Sequence, residues 1–281
     1  MTVRAVRVPG RADRGTAGLG WPVQGLAYLA ALTLGLPVIV LVGRAVLDGA
    51  LFASETVRVV IDALALSLLT TTISLVVTVI IGIPLALLLA RRTFRGQTIL
   101  ETVIDLPIVL PPSVAGLALL LVFGRRGLLG ESLSVFGIEI AFTTLAVIIA
   151  QTFVSAPFFI RSARTGFASV DHDLEDAARV DGASERQLFR SITVPLASAA
   201  LAAGLVMSWA RALGEFGATI MFAGNVAGKT QTLPLVVYAE FQGGELDAAI
   251  AAASILVLAA FGVLVSVRIL HFGRVLDVRG G

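Results

Sequence analysis

Cysteine is absent from the chain, and histidine occurs only twice, at His172 and His271. The first absence excludes a disulfide framework, a thiolate metal site and a cysteine nucleophile. The second leaves no pair of neighbouring histidines from which to build a metal site. Charge is also scarce: 14% of the 281 residues, against roughly 25% in an ordinary soluble domain. Lysine occurs once, at Lys229, the other 20 of the 21 basic residues being arginine, and the formal net charge of +2 is dispersed along the chain. Dispersed charge of this kind excludes a nucleic-acid footprint. Neither H-E-x-x-H, nor G-x-S-x-G, nor an acidic metal-binding cluster occurs, so an intramembrane enzyme lacks every expected constellation.

Hydrophobic residues take the place of charge, at 57% of the chain with a mean hydropathy of +0.95. This excludes disorder, which needs low hydrophobicity and high net charge. A bilayer core about 30 Å thick takes roughly 20 mostly apolar residues per helix. Six stretches qualify, at about 26–43, 63–90, 99–123, 141–160, 196–222 and 246–270. A transmembrane barrel would show ~10-residue alternating segments instead, so the expectation is an all-α integral membrane protein of six spans in contact with lipid. Drawn this way, fifteen of the basic residues fall in the amino-terminal tail, the second and fourth connections and the carboxyl tail; five fall on the other side, and Arg211 lies within a span. The positive-inside rule then places both termini in the cytoplasm. Residues 1–25 read as a flexible cytoplasmic tail, not a cleaved signal peptide, whose apolar region would be shorter and earlier. Residues 26–270 read as one membrane domain, and 271–281 as a second cytoplasmic tail.

The connection 171–195, DHDLEDAARVDGASERQLFRSITVP, carries the most information. Asp171 suits an N-cap, with Asp173 and Glu175 complementing the dipole of the first turn. Leu174 and Ala178 form a short apolar stripe. Gly182 supplies a left-handed end to that helix. Ser184 with Gln187 three residues on makes a capping box for a second helix, whose apolar face is Leu188 and Ile192 and which Pro195 stops. This helix–glycine elbow–helix is either a surface loop that tidies the span ends or a compact dock for a partner.

In the fifth span, ARALGEFGATIMFAGN (210–225) puts Arg211 and Glu215 four residues apart, at pairing distance on one helix face. A lone arginine at that depth costs at least ~2.5–3.5 kcal/mol on insertion scales. The pair either orients the helix within the bundle or borders a solute path, where Arg211 offers positive charge to an anion; ionisable residues at membrane depth favour the second reading. Gly214, Gly217 and Ala218 remove bulk beside it. In the third span, Pro111 and Pro112 free backbone carbonyls next to Ser113, as a kink or as part of a path. Glu101 and Asp105 share a helix face near the cytoplasmic end of the third span, close to Arg91, Arg92 and Arg95, and structural pairing is the expectation for both, as for Asp62. Residues Ala223–Thr230 read A-x-x-x-x-G-K-T, but a working phosphate-binding loop follows a strand and opens a helix, and this one follows a membrane span.

The elbow resembles the cytoplasmic signature of ATP-binding-cassette importer permeases: Glu-Ala-Ala, then glycine, isoleucine and Leu-Pro at fixed spacing. Here it reads Asp176, Ala177 and Ala178, then Gly182, Ile192, and Val194 with Pro195. Two positions depart conservatively, aspartate standing for glutamate and valine for leucine. PIVLPPSVAGLALLLVFGRRGLLG (107–130), the string at 210–225 and GKTQTLPL (228–235) resemble the molybdate branch of these permeases, with tungstate and sulfate permeases sharing much of the pattern. The resemblance spans about residues 60 to 270. It implies the type I importer permease fold and a homodimer with two ATPase subunits on the cytoplasmic face. It also implies an extracytoplasmic oxyanion-binding protein, and ATP with Mg at the ATPase, with no cofactor or catalytic site on this chain. It puts Pro111, Pro112, Ser113, Arg211, Gly214, Glu215 and Gly217 along the translocation path. The competing class is a self-contained secondary transporter or channel with Arg211 and Glu215 as its relay, which would have no use for an ATPase dock.

Overall fold

The computed structural model describes residues 21–49 and 54–277, and among these there is no strand. The residues of the expected tails at 1–20 and 278–281 lie outside it. Helices follow in the order α1 (Trp21–Leu47), α2 (Ser54–Arg91), α3 (Gln97–Val109), α4 (Pro112–Phe123), α5 (Gly130–Val135), α6 (Thr144–Ala168), α7 (His172–Val180), α8 (Glu185–Leu188), α9 (Val194–Leu213), α10 (Gly217–Phe222), α11 (Leu233–Gly243) and α12 (Leu246–Asp277). Five segments are long and apolar enough to cross a membrane: Trp21–Leu47, Arg58–Arg91, Thr144–Ala168, Glu185–Leu213 and Leu246–Val265. Counting the broken pair α3 and α4 as one span gives six.

Four boundaries differ from the sequence expectation. The first helix begins at Trp21, inside the expected tail, and the last continues to Asp277, beyond the expected 270. The third span is two helices bent by 118°. Pro111 and Pro112 cannot donate to the helix ladder, so the chain passes through extended Leu110 (ψ 133°) and Pro111 (ψ 133°) before α4 starts. The fifth span breaks as well, α9 ending at Leu213 and α10 starting at Gly217. An 11-residue helix, α11, then precedes the last span.

The bundle is built on α6, which packs along α2 on one side and α9 on the other. Small residues permit the approach: a Cβ on Gly204 would lie 2.8 Å from Ser162 Cβ, and one on Gly82 would lie 2.8 Å from the Phe159 ring. Polar side chains add a seam. Ser67, Thr70, Thr71, Ser74 and Thr78 recur at helical spacing on α2 and all are fully buried. Gln151 Nε2 donates to Thr71 Oγ1 (3.3 Å) and Thr152 Oγ1 to Ser74 Oγ (3.0 Å), interhelical bonds of the kind that join helices in lipid. At one end of the bundle the connection 223–232 meets the start of α6, Thr144 Oγ1 donating to Lys229 O (2.8 Å). At the other end, the terminus of α2 meets the 169–193 segment. Helix α1 rests on α12 and keeps most of its apolar surface outside the bundle.

Candidate functional site: the elbow and the crossing of two broken helices

The elbow forms as its sequence dictates. Asp171 Oδ1 accepts from Asp173 N (2.9 Å) and caps α7. At the other end Asp181 N donates to Ala177 O and Ala183 N to Ala178 O (both 3.0 Å), while Gly182 takes φ +88°. The capping box is complete, with Ser184 Oγ accepting from Gln187 N (3.4 Å) and Gln187 Oε1 from Ser184 N (2.9 Å). Arg179 straddles the turn, 2.7 Å from Asp176 and 2.8 Å from Glu185, and these partners, Glu185 first, hold its guanidinium above its ordinary pKa.

One expectation for the elbow is corrected. Pro195 does not stop a helix: the chain runs from α8 through a π turn, Phe189–Thr193, straight into α9, with Pro195 in the first turn. In the widened turn Val194 N donates to Phe189 O, five residues back, and the turn carries the chain up to the proline, where the missing N–H falls in the first turn of α9. The apolar stripe of α7 lies largely on the outside of the elbow. Leu174 is 51% and Val180 87% exposed, Ala178 is half-buried, and the buried residue is Glu175. Asp176 and Ala177 also face outward, whereas Leu188 is buried and Ile192 half-buried. The elbow therefore presents an apolar and acidic outer face, with Glu175, Leu188 and Thr193 turned inward.

Glu175 is a site residue that the sequence reading misses, because its place in the first turn already gives it a dipole role. Its Oε1 accepts from Arg91 Nη2 (2.6 Å) and Thr193 Oγ1 (2.7 Å), joining α7 to the end of α2 and to the π turn. Arg91 Nη1 lies 2.9 Å from His172 Nδ1, which must accept because guanidinium only donates. A cavity of about 400 Å³ opens beside this cluster, lined also by Leu87, Arg92 and Phe189. Arg91 is thus committed to Glu175, and Glu101 and Asp105 form structural ion pairs with arginines of another helix. Glu101 lies 2.9 Å from Arg164 and Asp105 3.3 Å from Arg161, both on α6. Asp62 lines a cavity with Ala227, Gly228 and Gln231 and has no ion pair among the described contacts.

The expected pathway residues fall on the two broken spans, and the structure brings those breaks into contact. A Cβ on Gly217 would lie 2.6 Å from Pro112 Cβ and 3.3 Å from Ser113 N, and one on Gly116 would lie 2.7 Å from Ala218 O. Helices α4 and α10 therefore touch backbone to backbone, which only glycine allows at these positions. Pro111, Pro112, Ser113 and Gly214 are exposed beside the crossing. Arg211 Nη1 approaches Glu215 Oε2 to 2.6 Å, forming the expected pair, with the Glu215 side chain 1% and the Arg211 side chain 29% exposed. The carboxylate also acts as a cap, because its Oε1 accepts from Ala218 N (2.8 Å) and satisfies a free N–H at the start of α10. Segment 223–230 follows α10 and is folded on itself around Val226, with no preceding strand, so it is no phosphate-binding loop.

Residues 82–274 match the model of the family described as binding-protein-dependent transport system inner membrane component. The fold agrees with that match. A chain of a bacterial ABC transporter involved in the import of the acidic polysaccharide alginate superposes with TM-score 0.68 at 19% identity, over 90% of this chain and 95% of that one. The chain belongs to this family of multi-pass inner-membrane permeases. Among curated relatives, the probable transport system permease protein NifC of Clostridium pasteurianum is 42% identical over 74% of this chain and 73% of its own length. The molybdenum transport system permease protein ModB of Escherichia coli K12 is 40% identical over 76% and 94%. The sulfate transport system permease protein CysT of Salmonella typhimurium is 36% identical over 76% and 78%.

Proposed function

We propose that this chain is the membrane subunit of an ATP-driven importer that carries a tetrahedral oxyanion, molybdate before tungstate or sulfate, across the cytoplasmic membrane. The observation that carries the reading is the elbow. A capped, glycine-turned helix pair with Leu174, Asp176, Ala177 and Val180 on its outer face is suited to seat in another protein and useless to a self-contained transporter. Molybdate is favoured by the names of the relatives at 40–45% identity, against 36% for the sulfate permease. The working assembly in this reading is a homodimer, with two ATPase subunits holding ATP and Mg against the elbows. A binding protein delivers the anion on the opposite face, as the alginate transporter solved with its periplasmic protein supports. Both termini lie on the ATPase side. Asp176, Ala177, Ala178, Gly182, Ile192 and Pro195 form the coupling element. Arg211, Gly214, Glu215, Gly217, Pro111, Pro112 and Ser113 border the path.

Purifying the tagged chain from its host membrane tests the class: an ATPase subunit should accompany it, and anion transport by the chain alone, without ATP, would refute the proposal. In liposomes, ATP hydrolysis by the complex should rise most with molybdate-loaded binding protein. Stimulation by sulfate alone would reassign the substrate.

A further inference from the structure

The elbow is joined covalently to α6 and, through the π turn, to α9. Helix α2 has no chain connection to it, yet α2 is the longest element of the fold: 38 residues, or about 57 Å at 1.5 Å per residue. The end of α2 at Arg91 meets the elbow only through side chains, and the contact is concentrated on one buried carboxylate. Glu175 Oε1 takes a hydrogen bond from Arg91 Nη2 at 2.6 Å and another from Thr193 Oγ1 at 2.7 Å, while the Glu175 side chain is 4% and that of Arg91 17% exposed. Toward the far end, Ser67 Oγ of α2 accepts from Leu233 N (2.7 Å) at the start of α11, and Val60 and Ala63 pack with Leu233, Val236 and Ala252. One helix is therefore fastened at the elbow by an ion pair and, near the opposite face, by a buried backbone–hydroxyl bond.

We propose that Glu175, held by Arg91 and Thr193, is a positioning residue that fastens the elbow to α2, so that movement of the elbow is carried along α2 to the α11 segment at the opposite face. This rests on the importer reading given above. Asp176, one residue on, points out toward the partner, and Glu175 points in. Two adjacent acidic residues thus divide the work, one facing the ATPase and one gripping the span. The cavity of about 400 Å³ beside the cluster leaves room for α7 to shift while the pair is made. Charge-assisted contacts suit this role because they are directional and strong where water is partly excluded.

The test uses the complete complex, permease with its ATPase and binding protein in liposomes, and compares Glu175→Gln, Thr193→Val and the exchange Glu175→Arg with Arg91→Glu. Two ratios are read at matched amounts of assembled complex: anion transported per ATP, and hydrolysis with and without loaded binding protein. Mutations along a coupled network change coupling by about two- to thirty-fold. Glu175→Gln is expected to lower both ratios within that range while the ATPase stays bound, Thr193→Val to lower them less, and the exchange to recover part of the loss. Unchanged ratios in an assembled Glu175→Gln complex overturn the proposal. If that variant does not assemble, unchanged ratios in Thr193→Val overturn it instead. An unmodified chain that never retains an ATPase refutes the importer reading itself, and this inference with it, an outcome distinct from a complex that assembles and stays fully coupled.

Discussion

Replacing Gly182 separates backbone geometry from side-chain contact at the elbow. The residue sits at φ +88°, and a Cβ placed on it would have nothing within 4 Å, so a larger side chain meets no steric obstacle from its neighbours. All resistance to substitution is conformational. The left-handed region costs an L-residue roughly 1–2 kcal/mol, less for asparagine, which visits it routinely, and more for a β-branched residue. At 1.36 kcal/mol per tenfold, that range lowers the population of the observed elbow about five- to thirty-fold. The series Gly182→Asn, Gly182→Ala and Gly182→Val should therefore impair the complex progressively in that order. The ATPase retained on purification and the anion transported per ATP are the two readouts. Folding in the membrane should be unaffected, since the α2–α6–α9 core lies outside the elbow. Valine behaving as glycine does, or alanine worse than valine, would refute the conformational argument and leave the elbow as an ordinary loop.

Because the chain has no cysteine, single cysteines can be introduced without background. Placed at Val180, which is 87% exposed, or at Arg95, a cysteine should be shielded from impermeant thiol reagents in intact cells, whereas one at Lys229 should be labelled. The reverse pattern would invert the topology. At the α4–α10 crossing, Gly116→Leu and Gly217→Leu force a side chain into space already held by Ala218 and Pro112. Overpacking of this kind costs about 1–3 kcal/mol, so both should lower the yield of assembled complex, with Gly116→Ala intermediate. Wild-type yield from either leucine variant would mean that the crossing opens without penalty.

The architecture is legible in the sequence where one local signal decides it. Hydrophobic length marks the spans, and Gly182, Ser184 and Gln187 mark the elbow, because caps and left-handed turns are written within a few residues. What stays hidden depends on partners distant in sequence. Glu175 reads as a dipole complement until α2 brings Arg91 against it, 84 positions away. Glu101 and Asp105 have Arg91, Arg92 and Arg95 as their nearest arginines along the chain, but α3 lies on α6 and pairs them with Arg164 and Arg161. The buried stripe of Ser67, Thr71, Ser74 and Thr78 has a visible helical period, yet in an apolar span hydroxyls carry too little signal to mark a face. Proline misleads twice: Pro111 and Pro112 signal a kink and produce a 118° bend, while Pro195 signals a stop and sits in the first turn of a continuing helix.

Glu215 shows why charge and fold must be separated when the path is probed. Its Oε2 faces Arg211 and its Oε1 caps α10, so alanine would remove the countercharge and the cap together and misreport both. Glutamine keeps an oxygen for Ala218 N and removes only the charge, leaving Arg211 uncompensated at membrane depth, a burden of at least ~2.5–3.5 kcal/mol on insertion scales. Glu215→Gln alone should therefore reduce assembly. Arg211→Gln with Glu215→Gln removes both charges at nearly constant shape and should restore it. If the pair serves only to orient α9, transport returns along with assembly. If Arg211 attracts the anion, the double variant assembles, retains its ATPase and still imports poorly, even with saturating loaded binding protein. Arg211→Lys, which keeps the charge and loses the planar fork suited to oxyanions, should fall between. The second outcome is expected, because Arg211 is 29% exposed and so open to a passing anion, whereas Glu215 at 1% is not. Full import by the double variant would reduce the pair to a packing device and leave the exposed residues Pro111, Pro112 and Ser113 as the remaining candidates for contact with the anion.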